Sequence, residues 1–529
     1  MMFSDASITT YCLFLLAVLY LVRWRLDPLR SIPTAGGFSS PVLSYLTALY
    51  TMLHAKEMVD TGVRKFYGSA FKIPLLDRWM VIVSGPNMVD ELRRRPEEEL
   101  SVMDGLLELV QLQYMIGDAS KEDPAHSIVV HEKLTARMLT ALVPEMADEL
   151  QSAVQDHLPV SSTDGWISID AFPTVHKIVT RLCTRVFVGL DACRDEEYLK
   201  LAGTFTVDIM KAAFILGFLP RFMKPLVAPL INTMSQTVRR AAPHLAPIVN
   251  ERREHMGVLG SSWEDRPVGT YLQYAVERAA GGTGTSEPLM WLILERCPPM
   301  AYRERRKENH TDSDIIESLF LVNLAAIHNS SSTLTHTLYH LAESPGYVAS
   351  LREEIEAVLL VEGWTATALN KMEKLDSFLT ECQRYTGLGL TSMIRKAVKD
   401  ITLNDGTSVP RGTLIQVAAH SVHLNEAYYK NADTFDPLRF ARLRRKEGTQ
   451  GSKYLAASTT AEYIPFGHGH HACPGRFFAA SQMKALLAYI ITNYDIKFAG
   501  DGKRPANANF GLHILPALGD RVLFRARQL

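Results

Sequence analysis

Cysteine is scarce in this chain, and the few cysteines do not form close pairs. They show none of the spacings of a disulfide framework or a structural zinc site: Cys12, Cys183, Cys193, Cys297, Cys382 and Cys473. Widely spaced, unpaired thiols are typical of proteins that work in a reducing compartment. The sequence therefore argues against a small secreted scaffold held together by disulfide bonds.

The sequence also lacks an excess of charge of either sign. Its 56 basic and 57 acidic residues leave a net charge of −1, which indicates no general affinity for a polyanion such as nucleic acid. Apolar residues make up 47% of the chain and charged residues 21%, as in globular proteins. With 529 residues, the chain is long enough for one large domain.

The N-terminal apolar run is shorter than the ~20 residues of a comfortable membrane span. It covers residues 11–22 and is followed by Arg23, Arg25 and Arg30. A cleaved signal peptide is an alternative, but the basic residues follow the run and no Ala-x-Ala cleavage site is evident. We interpret residues 1–30 as a single-pass membrane anchor and hinge, and the positive-inside tendency predicts that the remainder is cytoplasmic.

A cysteine lies in a glycine-punctuated loop, residues 466–475, directly before an apolar helical run. At the start of a helix, free backbone N–H groups would favour the thiolate form of Cys473. Two other interpretations compete. A zinc site would need His468, His470 and His471, which are more crowded than the usual spaced ligand pairs. An isolated cysteine is otherwise most often an ordinary buried residue.

This loop resembles the heme-binding signature of the cytochrome P450 family, Phe-Gly-x-Gly-Arg-His-x-Cys-x-Gly. The matching positions are Phe466, Gly467, Gly469, His471, Cys473 and Gly475. The resemblance implies that Cys473 is the axial thiolate ligand of the iron of heme b. It also implies that Phe466, Gly467, His471 and Gly475 contact the cofactor.

The resemblance is incomplete at the residues that bind the heme propionates. His470 stands where the family usually has Arg or Lys, and it would pair with a propionate as a cation only when protonated. The family's Trp-x-x-x-Arg motif is absent. Lys133 or Arg137 could substitute for it, but a solvated helix face is the favoured interpretation of either residue alone. By resemblance Arg395 can bind a propionate, although an exposed charge on a strand edge is an alternative.

A long helix is predicted from residue 314 to residue 344, with Asp314 as its cap and Pro345 as its end. In its middle the family has an acid and an alcohol that deliver protons; here His328 occupies the acid position and Asn329 the alcohol position. We predict that Ser330 and ordered water deliver the protons, with Asn329 placing the water. Polar residues tolerated inside a long helix are the alternative.

A Glu-x-x-Arg pair, Glu381 and Arg384, comes next in the sequence. An isolated pair at this spacing is usually a surface ion pair. The family has the same pair in a buried network with a later arginine, here Arg439, and the resemblance implies that this network fixes the heme-side loop. All members are needed, because one unpaired buried charge is costly.

The resemblance covers residues 31–529 as one catalytic domain. It implies a mainly helical fold with small β regions. The implied reaction is insertion of one oxygen atom from O₂ into an apolar substrate, with electrons from NADPH through a reductase. The resemblance also implies a location at the endoplasmic reticulum membrane. By family position, residues 214–223 would form a substrate-access lid that dips into the membrane surface. The motif variants look most like fungal members, which often oxidise terpenoids or steroids; this substrate class is analogy only.

Two other functions remain open at this point. His328 and Asn329 alter the usual proton relay, which suggests an enzyme of the same fold that rearranges its substrate or uses peroxide. A non-catalytic heme-binding membrane protein is the third hypothesis. The basic stretch at residues 442–446 is either a solvated loop or a docking surface for an acidic, flavin-containing reductase.

Overall fold

The chain folds mainly into helices, with small sheets, which confirms the predicted fold class. The computed structural model describes residues 5–40, 43–116, 130, 139–158, 160, 165–259, 270–279, 311–517 and 519–528. Within these ranges the helices, numbered in chain order, are α1 Asp5–Arg25, α2 Leu43–Lys65, α3 Pro86–Arg94, α4 Val102–Leu109, α5 Leu139–His157, α6 Ala171–Phe187, α7 Leu190–Cys193, α8 Glu196–Gly217, α9 Lys224–Ile231, α10 Met234–Leu259, α11 Tyr271–Ala279, α12 Asp312–Glu343, α13 Pro345–Glu362, α14 Ala366–Lys371, α15 Glu373–Tyr385, α16 Ala419–His423, α17 Arg439–Glu447 and α18 Arg476–Asn493.

The strands are short and lie in four separate sheets. In chain order they are β1 Ala70–Pro74, β2 Trp79–Val83, β3 Leu100–Ser101, β4 Ile167–Asp170, β5 Ser392–Ala397, β6 Ile401–Thr402, β7 Ser408–Val409, β8 Leu414–Val417, β9 Tyr494–Phe498, β10 Ala508–Phe510, β11 His513–Leu515 and β12 Arg521–Ala526.

The largest sheet has the strand order β1-β2-β8-β5-β3. The β-rich runs at residues 70–74 and 79–83, separated by a turn, predict a small hairpin, and it is present, since β1 and β2 pair antiparallel with Ala70 opposite Val83. The sequence also predicts a final hairpin over residues 509–527, and this prediction is only partly correct, because those residues divide between two sheets. Strand β10 pairs with β11, whereas β12 lies between β4 and β9.

Helix α12 passes through the helical core and packs against α6, α8 and α10. Its actual N-cap is Thr311, in a capping box with Asp314; the cap therefore lies three residues before the predicted one. Every residue from 330 to 342 is buried. The helix ends at Glu343, with Ser344 as its C-cap, and Pro345 begins α13, which confirms the predicted end. A helix buried on all sides in this way can present side chains to an interior site.

The N-terminal apolar run forms most of α1. Among the described residues, no helix is long and apolar enough to span a bilayer, so the predicted membrane-spanning anchor is not confirmed. The sequence Ile-Pro-Thr-Ala-Gly-Gly at residues 32–37 predicts a hinge between the anchor and the remainder, and in the structure residues 32–35 are held against the sheet. Ile32 and Ala35 are buried, the backbone of residues 33–35 bonds to that of Lys72, and the Lys72 ammonium group donates to the Leu29 carbonyl.

The structure brings Glu381, Arg384 and Arg439 into one buried network. Arg384 donates to both carboxylate oxygens of Glu381, at 2.7 and 2.8 Å, and Arg439 Nε lies 3.2 Å from each of them. The Glu381 and Arg384 side chains are fully buried. The remaining guanidinium N–H groups donate to backbone carbonyls between residues 423 and 434, which fixes the loop that follows α16.

Replacing Glu381 with Gln should destabilise the protein strongly, because two buried guanidinium groups would lose their counterion. A loss of about 3–5 kcal/mol in the free energy of unfolding is expected, as for other broken buried pairs. Chemical denaturation of the purified protein measures this loss.

The matched control is Arg442→Gln, one turn along α17. Arg442 is exposed, and among the described residues its one ion pair is with Asp436 at the surface, so its loss should cost less than about 1 kcal/mol. Equal effects of the two substitutions would contradict the assigned role of the buried network.

Candidate active site

The cysteine loop is held by a backbone arrangement that requires glycine. Gly467 and Gly469 have φ angles of +70° and +83°, in the region that disfavours side chains. A Cβ on Gly469 would also collide with the side chain of Arg93 on α3. The Cys473 amide donates to the Phe466 carbonyl at 2.8 Å and closes the loop. The two glycines therefore let the loop lie against α3 and present Cys473 just before α18.

Backbone donors surround the Cys473 sulfur, as predicted for the start of a helix. The amides of Gly475 and Arg476 hydrogen bond to the thiol, and both interactions lower its pKa. Burial has the larger opposite effect, so the pKa of Cys473 is raised overall. A thiol of this kind gains its thiolate form when a cation binds the sulfur. These amides would then act as hydrogen-bond donors that tune a bound metal.

Two residues on the buried helix α12 are exposed although they lie near its middle. Ala325 and Asn329, four residues apart on one face, are exposed, whereas Ile327 and Ser330 are buried. Exposure in the middle of a core helix means that this face borders an interior cavity. The small side chain of Ala325 leaves room there, and Asn329 Nδ2 donates to the Ala325 carbonyl at 2.9 Å.

The other two predicted relay residues do not share this face. The Ser330 side chain is only 4% exposed, because it lies about 100° around the helix from Asn329. His328 is half-buried, and its ring meets Phe172 of α6 edge-on at 6.0 Å between centroids. The sequence prediction gave Asn329 the role of placing the water. In the structure, Asn329 is therefore the relay candidate that reaches the cavity.

Arg395 is buried beside the cysteine loop with an unused donor. It is 2% exposed, and its Nε has no hydrogen-bond partner within the described residues. A β-bulge between Ser392 and Arg395, with Met393 at φ +57°, aims the side chain away from regular sheet packing. Burial lowers the pKa of Arg395 to about 10. Its Nη1 donates to the Ile394 carbonyl at 2.9 Å, and a buried guanidinium group with an unused Nε donor fits an anionic partner such as a carboxylate.

His471, and not His470, lies beside Arg395. Burial, Arg395 and His470 together lower the pKa of His471 to about 4, and its Nδ1 lies 3.7 Å from Glu97. His470 is exposed, so its predicted pairing with a propionate has less support than that of Arg395. Lys133 and Arg137, considered as replacements for the missing motif, lie outside the described residues.

These residues together fit a heme. They include a thiol with two backbone donors, an unused guanidinium group at the edge of the same loop, and an accessible face on the buried helix α12. Within the described residues, no group of three metal-binding side chains forms another site. The alternative of a zinc site made by His468, His470 and His471 therefore has no support, and His468 instead contacts Thr459.

An ionic contact missed by the sequence analysis lies directly after the predicted access lid. Lys224, the first residue of α9, is fully buried, and its ammonium group contacts Asp77 in the β1–β2 turn and Gln111 at 3.0 Å. Asp77 also pairs with Arg78. The network ties the end of the lid, residues 214–223, to the sheet. A lone lysine after an apolar cluster gives no sequence signal for this contact.

The basic stretch at residues 442–446 is part of α17 and not a loop. Much of its charge is neutralised by this chain itself. Arg444 lies 3.7 Å from Asp376, Arg445 lies 3.9 Å from Glu373, and Arg442 pairs with Asp436. The stretch is therefore less available for an acidic partner than its sequence suggests.

Comparisons with known proteins agree with this site. The cytochrome P450 family model matches residues 39–520. The chain is 44% identical to cytochrome P450 monooxygenase 151 of Postia placenta, over 97% of each chain. It is 28% identical to ent-kaurene oxidase P450-4 of Gibberella fujikuroi, over 94% of this chain and 93% of the relative.

A solved structure supports the fold independently of the sequence. The heme domain of cytochrome P450DA matches with a TM-score of 0.67 over 94% of this chain and 98% of that domain, at 16% identity. At that identity the match concerns the fold alone. The family model and the full-length relatives go further: the chain belongs to the cytochrome P450 family and is a monooxygenase of that family.

Proposed function

We propose that this monooxygenase binds heme b through Cys473 and inserts one oxygen atom from O₂ into an apolar, terpenoid or steroid-like substrate. The Cys473 thiol and its two backbone donors carry this proposal. When bound, a heme with a thiolate ligand supplies the chemistry of O–O bond cleavage. Gly475 and Arg476 then stabilise charge on the sulfur, Phe466 and Gly467 shape the loop, and Arg395 with His471 binds a propionate.

Asn329 is proposed to hold the water through which protons reach the cavity. An amide cannot ionise, but it can donate to and accept from the same water molecule. Its accessible position on α12 and its bond to the Ala325 carbonyl support this role. Ser330 and His328 are secondary candidates, since Ser330 is buried and the His328 ring lies against α6.

The apolar substrate class is supported by the side chains between α8 and the β10–β11 hairpin. Phe214 and Phe510 are partly exposed, with ring centroids 5.6 Å apart. The Leu388 carbonyl accepts a hydrogen bond from the Ile514 amide of this hairpin at 3.0 Å. A relative at 28% identity is named an ent-kaurene oxidase, which favours a terpenoid skeleton here.

Electrons are proposed to come from NADPH through a reductase, as the resemblance implies. The proposal also includes association with the endoplasmic reticulum membrane, with the catalytic domain on the cytoplasmic side. Exposed apolar side chains on three helices support contact with a membrane surface. They are Tyr11, Phe14 and Leu15 on α1, Tyr45, Leu46 and Leu49 on α2, and Leu226 and Leu230 on α9.

A second candidate function is a rearrangement or peroxide-dependent reaction on the same heme. The observation that favours it is the absence of an ionisable acid on the cavity-facing side of α12, within the described residues. There Asn329 stands in place of an alcohol and His328 is turned toward Phe172. Turnover that needs no NADPH or reductase would support this candidate over the first.

Replacing Cys473 with Ala should abolish the red-shifted Soret band of the CO-bound ferrous protein, because no thiolate would reach the iron. Cys183→Ala is the control. Cys183 is buried in the helical core beside Gln482, at 3.3 Å, and its loss should leave the band in place. A red-shifted band that persists in Cys473→Ala would show that the ligand is assigned to the wrong residue.

Replacing Asn329 with Ala should divert electrons to hydrogen peroxide, because the water that carries protons would lose its anchor. A positioned proton donor contributes roughly 10²–10⁴-fold, so product formation should fall at least about tenfold while heme content is unchanged. The measurement is peroxide released per NADPH consumed.

Ser330→Ala and His328→Ala are the matched variants for that experiment. Each removes a neighbouring polar group that does not share the Asn329 face, and each should change the coupling ratio less than Asn329→Ala. If Ser330→Ala lowers the coupling ratio more than Asn329→Ala does, the Ser330 hydroxyl is the group that delivers protons. If His328→Ala lowers the coupling ratio most, the His328 imidazole is that group.

Deleting residues 1–26 should weaken binding to lipid vesicles and preserve the heme spectrum. The deletion retains Asp27, whose carboxylate accepts from the Leu29 amide, and Leu29, whose carbonyl accepts from Lys72. Vesicle flotation measures the association. Loss of heme from the shortened protein would mean that α1 is part of the catalytic fold, and unchanged flotation would assign the membrane contact to α2 and α9.

A further inference from the structure

A row of polar side chains continues from Asn329 along the C-terminal half of α12. Its members follow at steps of three or four residues: Ser332, His336, His340 and Glu343. At about 100° per residue, these side chains and Asn329 lie within an arc of about 80° on one face of the helix. The row therefore leaves the cavity at Asn329 and runs toward the C-terminal end of α12.

The three middle members of the row, which we call the polar row, are buried but incompletely bonded. Ser332, His336 and His340 are each at most 2% exposed. Ser332 Oγ, His336 Nε2 and His340 Nδ1 make no hydrogen bond to the part of the chain that the structure describes. A buried polar group without a partner is costly, and ordered water is its usual partner when the protein supplies none.

Other residues hold the two histidine rings through their second nitrogen. His336 Nδ1 lies 3.0 Å from Nη2 of Arg504, and His340 Nε2 lies 2.8 Å from Oγ1 of Thr386. The His340 ring also stacks on Phe435, with centroids 4.0 Å apart. The rings are therefore fixed in place, and each has one nitrogen left for a further partner.

Both rings are neutral near pH 7, which suits a bond to water. Burial and the positive charge of Arg504 lower the pKa of His336 to about 3, against the opposing effect of the nearby Ile514 backbone. Burial also lowers the pKa of His340 well below its usual value. A guanidinium group can only donate, so Nδ1 of the neutral His336 ring accepts from Arg504 and Nε2 carries the ring proton.

The outer end of the row reaches bulk water. Glu343, the last residue of α12, is exposed, and its carboxylate accepts from the Arg504 amide at 3.4 Å. The Arg504 side chain extends inward to His336 and has an unpartnered Nε of its own. Arg504 therefore links the surface carboxylate to the polar row.

The spacing of the row fits water molecules between its members. Successive side chains are one helical turn apart, which is about 5–6 Å along the axis. One water molecule spans such a gap with two hydrogen bonds of about 2.8 Å each. A few ordered waters would thus connect the surface to Asn329 without interruption.

We propose that the polar row of α12 holds a water wire that carries protons from the surface at Glu343 to the water bound by Asn329. This inference rests on the proposed role of Asn329 and adds the route by which that water is supplied with protons. A proton that enters at the surface shifts one O–H bond to the next oxygen along the wire, so that a different proton leaves at the cavity. No oxidant or reductant takes part in the transfer.

The first test needs no turnover. A crystal structure of the heme-loaded, full-length protein should show ordered water within hydrogen-bond distance of Ser332 Oγ, His336 Nε2 and His340 Nδ1. In Ser332→Ala, the water beside residue 332 should be lost. A face without ordered water, or an anion beside Arg504 in its place, would overturn the proposal.

The second test measures coupling in Ser332→Ala, with androstanol and the diterpene alcohol manool as substrate probes. Product formed per NADPH consumed should fall roughly 3- to 10-fold, the size expected for one lost hydrogen bond, and peroxide should account for the difference. The kinetic solvent isotope effect on product formation should rise, because proton transfer then limits the rate. If neither probe gives product, the crystal structures decide.

Ser331→Ala is the matched control, because it removes the same atom from the opposite side of α12. Ser331 Oγ donates to the Ile327 carbonyl at 2.6 Å, whereas Ser332 Oγ has no partner in the described chain. A merely structural effect would therefore be larger in Ser331→Ala. Equal uncoupling in the two variants, or more in Ser331→Ala, would contradict the wire.

His336 provides a second point at which to interrupt the route. His336→Leu removes the nitrogen that faces the wire and should lower coupling as Ser332→Ala does, with heme content unchanged. His336→Gln retains groups that can hold a water molecule and should recover part of the coupling. Loss of coupling to the same extent in both variants would assign His336 a packing role only.

The double variant of Ser332→Ala and Asn329→Ala separates this proposal from the one on which it rests. Two breaks in one route should uncouple no more than the larger single break, whereas independent effects would multiply. Uncoupling in Asn329→Ala but not in Ser332→Ala would refute the wire alone. Unchanged coupling in both would refute the role of Asn329, and a missing red-shifted CO band in the unaltered protein would refute the heme site.

Discussion

The arrangement of the site depends on one buried carboxylate, that of Glu381. Two guanidinium groups share it, at 2.7 to 3.2 Å, and the Asp436 amide donates to it as well. A carboxylate in this position stabilises the fold only because all its hydrogen-bonding capacity is used. Through Arg384 and Arg439 the same group fixes the backbone carbonyls of residues 423–434. Residues 423–434 are therefore held in one conformation where the chain leaves the helical core and approaches the cysteine loop.

Polar groups at the site fall into two classes with opposite energetics. Those that hold the scaffold are satisfied, as Glu381 and Lys224 are. Arg395 Nε, beside the cysteine loop, is instead an unused donor among the described residues. Buried unsatisfied groups are expensive, and a cofactor propionate is a partner that fits the chemistry of this one.

The cavity itself arises from the way α12 is built. Small and polar residues at positions 325–331 would weaken an ordinary helix packed in a core, because they contribute little apolar contact area. Here the flanking turns compensate, since all residues from 330 to 342 are buried and the N-terminus is closed by the Thr311 capping box. The accessible face at Ala325 and Asn329 is thus supported from both ends.

The sequence by itself determined the fold class, the first hairpin and the thiol candidate. These depend on local signals: helical periodicity, alternating β-branched residues, and glycines whose backbone angles no other residue adopts easily. It also identified Glu381, Arg384 and Arg439 as possible partners, because their order along the chain matched a family pattern.

Only the tertiary structure decided which neighbouring residue faces the site. His470 and His471 are adjacent in the sequence, and so are Asn329 and Ser330, yet in each pair one side chain reaches the site and the other does not. On the α-helix that carries Asn329 and Ser330, a rotation of about 100° per residue separates such neighbours, and no sequence pattern sets its absolute direction. The contact of Lys224 with Asp77, distant in the chain, likewise exists only because packing brings α9 to the sheet.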